Sequence, residues 1–274
     1  YLQDFQNFTY ENYTDLFQSL DRISTYTDGN HSCLETIIGP VSEIILDLGQ
    51  RDFKLFIQVL KDLMKCSFTG RLYFGRIISN LKYNNEKINL LKSVFNNSQN
   101  GYIYLMEMFT RVPKEFLTVA DYNYLLNVVE ESENKNVSVL NHMIRRMPEM
   151  DINAAVEIPK VLRLIISKIG KVDYMHLHCD FFKVIHENYT AVFADNLKEI
   201  EKIYLHFDEQ ERHFDYDLQV LKIILSYNTS FITDLLKYSL DEKDYLSRRD
   251  FNDNDFKKLW DLDESTLVFD NMIN

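Results

Sequence analysis

The stretch Val161-Leu162-Arg163-Leu164-Ile165-Ile166-Ser167 returns later in the chain as Val220-Leu221-Lys222-Ile223-Ile224-Leu225-Ser226. Both copies are apolar at the same positions, carry a cation at the third and end on serine. Apolar residues three and four apart line one helical face, so each copy predicts an amphipathic helix. A short polar break follows each, with Gly170 and Asp173 after the first and Thr229 after the second. A second apolar set then returns, Leu177, Phe181, Val184 and Ile185 in one case, Phe231, Ile232, Leu235 and Leu236 in the other. The pattern predicts two helical hairpins, with an extra helix over residues 191–207 between them. The shared cation marks the solvent edge of each helix.

Outward from the twin, the alternation of stripe and break continues. Phe56, Val59, Leu60 and Leu63 form one stripe, and Leu72, Phe74, Ile77, Ile78 and Leu81 return after a break at residues 67–70. Asn84-Asn85 separates these from residues 88–95. Asp121 is expected to cap a helix carrying Leu125, Leu126, Val128 and Val129, and Asn136 one carrying Leu140, Met143, Ile144 and Met147 before Pro148. Gly39-Pro40 predicts the start of a short helix over residues 41–48 with Gly49 as its stop. The aromatic stripe of the first thirty residues ends at Asp28-Gly29-Asn30, and a closing helix is expected over residues 253–262, the stretch that carries Trp260. The chain reads as one helical domain over residues 1–274, excised from a longer polypeptide since it opens on Tyr1. Residues 96–101 are the most linker-like segment and the place for any subdivision.

With 7 glycines and 4 prolines in 274 residues, the tight turns of an all-β fold are poorly supplied. The fold class is therefore all-α, with stacked hairpins forming an irregular α-solenoid and an irregular multi-helix bundle as the alternative. Over residues 53–238 the stripes resemble armadillo- and HEAT-type repeats. The likeness implies stacked helices and a groove that binds a protein partner; it supplies no functional residues. The twin spacing, 59 residues from Val161 to Val220, exceeds the roughly 40–47 of those families.

The formal charge is −12. Residues 201–274 hold 17 acids against 9 bases. Electrostatics thus opposes nucleic acid and anionic lipid and favours a basic protein partner. Cys33, Cys66 and Cys179 are far apart, which points to structural thiols in a reducing, cytoplasmic or nuclear setting. No apolar run has the length of a membrane span, and no signal peptide opens the chain. Seven Asn-x-Ser/Thr sequons, at Asn7, Asn12, Asn30, Asn96, Asn136, Asn188 and Asn228, keep a secreted or surface glycoprotein as an alternative. The favoured reading of these is helix caps and turns.

Four stretches hold residue types capable of chemistry. In His176-Leu177-His178-Cys179, a helix would bring His176 and Cys179 one turn apart as zinc ligands, direct His178 away and leave His186 too distant. Residues 250–261 resemble the start of a calcium loop, yet Asp255 stands where glycine is needed and Lys258 where an oxygen ligand belongs. The carboxylate run over residues 208–217 reads as a solvated loop between repeats. His31 and Cys33 fall in a turn with no orienting acid nearby. No phosphate-binding glycine motif occurs, and the basic doublets Arg145-Arg146, Arg248-Arg249 and Lys257-Lys258 form no stripe. The expectation is a non-catalytic interaction scaffold or regulatory module without cofactor, catalytic residue or resident metal. A helical metalloprotein centred on His176, Cys179 and the acidic loop is the alternative.

Overall fold

The structure is a computed structural model that describes residues 5, 7–26, 31–67, 74–98, 101–131, 137–169, 177–210, 215 and 217–240 (backbone only at 25–26, 31–36, 137–138, 208–210 and 236–240). Within them every regular element is a helix. The chain divides into two compact units, residues 1–125 and 126–274.

Unit 1 begins with α1 (Tyr10–Tyr26), α2 (His31–Arg51) and α3 (Phe53–Leu63). It continues with α4 (Phe74–Asn80), α5 (Asn85–Asn96) and α6 (Gly101–Arg111). The unit boundary falls inside α7 (Val119–Glu131). The expected short helix over residues 41–48 is part of the longer α2, which runs through Gly39, Pro40 and Gly49. A proline inside a helix costs about 3 kcal/mol. Ile38, Val41, Ile45 and Leu48 are all buried on one face that crosses Pro40. Each such side chain stabilises by about 1.5–3 kcal/mol, so continuity wins. Gly49 is no stop signal, because Leu81 packs where its Cβ would be, 2.7 Å away. The chain turns instead at Asp52, whose carboxylate accepts the Leu55 N–H at 3.0 Å and caps α3.

That single-residue turn pairs α3 with α2, where the sequence pattern suggested α3 with α4. The packing then alternates, with α1 on α3, α3 on α5, α2 on α4 and α4 on α6. Beneath α4, α5 and α6, the rings of Phe74, Phe95 and Tyr104 meet at centroid distances of 4.6 to 6.3 Å. Residues 96–101, the expected dividing point, lie inside this unit. A Cβ on Gly101 would fall 1.7 Å from the Phe95 carbonyl oxygen, so only glycine lets α6 start there.

Unit 2 comprises the end of α7 followed by α8 (Val137–Arg146), α9 (Ala154–Lys168) and α10 (Asp180–Asn188). After them come α11 (Thr190–Asp195), α12 (Leu197–Gln210), α13 (Gln219–Tyr227) and α14 (Phe231–Leu240). The expected helix over residues 191–207 is two helices, broken at Asn196, whose side-chain amide donates to the Val192 carbonyl at 2.8 Å. The twin stretches lie on α9 and α13. Val161, Leu162 and Ile165 are fully buried, as are Val220, Leu221 and Ile224. Arg163 and Lys222 are both exposed. Ser167 and Ser226 each donate to the carbonyl three residues back at 2.7 Å.

The local match is therefore close, but the surroundings differ. The copy on α9 packs on α8, α11 and α12, and the copy on α13 packs on α10, α12 and α14. Only the second has the expected following helix among its principal neighbours. Both rest on α12, the helix that interrupts the repeat. Gly170, Asp173, Asn136 and the expected closing helix with Trp260 lie outside the described residues.

Candidate functional site

Among the described residues, polar groups gather against apolar walls in each unit. In unit 2 they do so at the start of α10. The helical placement expected for residues 176–179 does not hold, because α10 begins at Asp180 and Leu177 and His178 precede it in non-helical backbone. His176 lies outside the described residues. His178 is not directed away; its Nδ1 accepts the Asp180 N–H at 3.3 Å, and its own backbone N–H donates to Asn141 at 3.0 Å. Donor atoms of His178, Cys179 and Asp180 all lie within 4.8 Å of one another.

The electrostatics of this corner work against a cation. The Asp180 carboxylate pairs with Arg145 at 2.5 Å and with Lys183 at 3.8 Å, so its charge is already compensated. Burial raises the Cys179 thiol above its usual range; Lys183 pulls it down, and Asp215 adds to the rise. A thiol so placed stays protonated at neutral pH and is a poor ligand or nucleophile. Cys66 in unit 1 behaves alike, pushed up to about 11 chiefly by burial.

Asp215 departs from the solvated loop expected for residues 208–217. It is buried, and its Oδ2 accepts the Tyr204 hydroxyl at 3.2 Å and the Leu221 N–H at 2.9 Å. The backbone reverses at Leu218, with φ of 55°, and α13 starts there. Such a left-handed residue is costly, and the carboxylate that holds the turn offsets it. His31 and Cys33 belong to α2 and to no turn, because that helix starts at His31. Residues 250–261 and the doublets Arg248-Arg249 and Lys257-Lys258 lie outside the described residues. Arg146 of the remaining doublet pairs with Glu149 at 2.8 Å.

Among the sequons, Asn7, Asn12, Asn96 and Asn188 are exposed, and Asn30 and Asn136 lie outside the described residues. Asn228 is half-buried, and its amide donates to Glu201 at 2.7 Å. Ser98 and Thr190 donate to helix carbonyls four residues back, the local bonding that gathers these residue types at helix ends.

In unit 1, α5, α6 and the start of α7 enclose a cavity of about 270 Å³. Its floor is the buried set Leu105, Met108, Phe109, Val112 and Leu125. Exposed Asn96 and Ala120 stand at the lip with half-buried Phe116, Leu117 and Tyr124. The polar feature of the wall is an ion pair, Lys92 Nζ to Asp121 Oδ2 at 2.5 Å, with the side chains 16% and 19% exposed. Such burial makes the pair worth more than a surface one and costs more in desolvation.

The chain builds this pair in two ways. Val112-Pro113 ends α6, and the short turn Lys114–Phe116 brings the Phe116 carbonyl to Lys92 at 3.1 Å. Thr118 and Asp121 then cap α7 reciprocally. The Asp121 carboxylate accepts the Thr118 N–H at 2.9 Å, and the Thr118 hydroxyl accepts the Asp121 N–H at 3.2 Å. Asp121 is thus the inner member of a capping box, where a lone cap was expected. The cavity was missed from sequence, although one signal was present. Lys92 occupies the stripe position between Ile88 and Phe95, where an apolar residue belongs.

No protein-family model, curated protein or solved structure matches the chain. Among the described residues no helix is long and apolar enough to cross a membrane.

Proposed function

We propose that the chain is a non-catalytic interaction module, an irregular array of stacked helices that holds a segment of a protein partner. The observation that carries this reading is the unit 1 cavity, apolar on its floor, open at its lip and large enough for an anchoring side chain. The alternating pairing of helices in unit 1 supports a solenoid-like stack of the armadillo or HEAT kind. The overall charge of −12 favours a partner with basic residues flanking the anchor. A cytoplasmic or nuclear setting goes with the reading, supported by the widely spaced cysteines.

The test is a random-peptide display selection on the purified protein and on Ala120→Trp, which fills the lip. The wild type is expected to enrich peptides sharing one apolar anchor, and the variant to lose them. A selection that yields no shared motif, or the same motif from both proteins, sinks the proposal. A second reading, a metal held by His178, Cys179 and Asp180, is favoured only by their 4.8 Å grouping. Elemental analysis of chelator-free protein decides it, and a metal content near zero removes it.

A further inference from the structure

Resting on that reading of the cavity, we infer that the Lys92–Asp121 pair recognises a neutral peptide group beside the partner's apolar anchor. The ammonium of Lys92 has three N–H donors. Two are engaged, by the Phe116 carbonyl at 3.1 Å and by Asp121 Oδ2 at 2.5 Å. On Asp121, Oδ2 also receives the Thr118 N–H and hydroxyl, at 2.9 and 2.7 Å. The other oxygen, Oδ1, accepts from no described residue. Both residues line the cavity, so its wall keeps one Lys92 donor and one Asp121 acceptor for an occupant.

Charge selects among the occupants. A carboxylate drawn to Lys92 meets the Asp121 charge, and an ammonium drawn to Asp121 meets Lys92. A purely apolar occupant shields the third Lys92 N–H and Asp121 Oδ1 from water without replacing their hydrogen bonds. A peptide group carries a carbonyl for the first and an N–H for the second, and it is uncharged. The partner segment is thus bound by a main-chain amide next to a Leu- or Phe-sized side chain.

The experiment follows the Met108 methyl signal by NMR, because Met108 lies on the cavity floor. Three probes sharing the phenylalanine side chain are titrated: N-acetyl-phenylalaninamide, its carboxylate N-acetyl-phenylalanine, and the smaller cation phenylalaninamide at pH 6. The neutral probe is expected to shift Met108 saturably and to bind about tenfold tighter than either charged one. In Lys92→Met/Asp121→Asn the preference is expected to fall to about twofold, with the apolar contact retained. A charged probe that binds as tightly as the neutral one overturns the inference, and so does silence of Met108 to all three. The ranking on wild type is decisive even if the variant fails to fold. Equal binding of the probes together with a successful peptide selection removes the amide and leaves the interaction module. An amide preference together with a failed selection removes the module itself.

Discussion

In unit 1 helices two apart along the chain pack together, α1 with α3, α3 with α5, α2 with α4 and α4 with α6, alongside the neighbouring pairs α2 with α3 and α5 with α6. In unit 2 one helix, α12, receives α9, α11, α13 and α14. Charge divides the same way. Residues 1–125 hold 14 Asp and Glu against 12 Lys and Arg, and residues 126–274 hold 28 against 18. These balances of −2 and −10 make up the chain's −12. The difference teaches that one kind of amphipathic helix supports two packings, and that the connections choose between them. Unit 1 turns at Asp52, at the Asn84 cap and at Gly101, each of which sends the next helix to a defined neighbour. Unit 2 inserts α11 and α12 between the twin helices, and the inserted helix becomes their shared support.

The sharpest break of this comparison is Gly101→Ala in unit 1. Its Cβ meets the Phe95 carbonyl, a backbone atom, and the expected loss is about 4 kcal/mol, above usual overpacking. Hydrogen exchange is expected to quicken over α5 and α6 while α12 keeps its protection. An equal loss over α12 dissolves the distinction between units. Gly75→Ala is the control. There the obstacles are the Arg111 and Glu107 side chains, which swing aside, so urea midpoints are expected to match wild type within about 0.5 kcal/mol.

Next in size are Ile165→Ala and Ile224→Ala, equivalent positions in the twin and both fully buried. Each is expected to cost about 3 kcal/mol by denaturant unfolding, and the two costs to agree within about 1 kcal/mol. A larger gap shows that the different neighbours of α9 and α13 outweigh their local identity. Asp215→Ala, which strips acceptors from the Tyr204 hydroxyl and the Leu221 N–H, is expected to cost about 2 kcal/mol. Asp215→Asn, which keeps an acceptor oxygen, is expected to recover part of that. Equal costs for the two variants place the effect in the charge and leave the hydrogen bonds without weight. The smallest effect belongs to Arg163→Glu and Lys222→Glu on the exposed edges, within about 0.5 kcal/mol of wild type by thermal melting.

Much of the scaffold was legible in advance. The stripes at Phe56 to Leu63, Leu140 to Met147 and across both twins all fall on helices, because a period of 3.6 marks a buried face directly. Punctuation was less legible. Gly39, Pro40 and Gly49 have the form of start and stop signals, yet the buried stripe of α2 overrides them. The candidate site was harder still. Lys92 was visible as a cation inside a stripe, but nothing local shows that Phe116 and Asp121 come to meet it. Asp215 has the sequence neighbourhood of a solvated loop, and only Tyr204 and the start of α13 reveal its burial.

By itself the amino-acid sequence determined the class, all helix, the faces that are buried and the acidic balance of the second half. Tertiary structure decided which helix each face meets, that the twin copies share α12, and that α5, α6 and α7 leave a cavity with an ion pair in its wall. The reason lies in the forces. Periodicity and capping act within a few residues and can be read locally. Apolar burial is non-directional and says that a face must be covered without saying by what, so partners emerge only when all faces are covered at once.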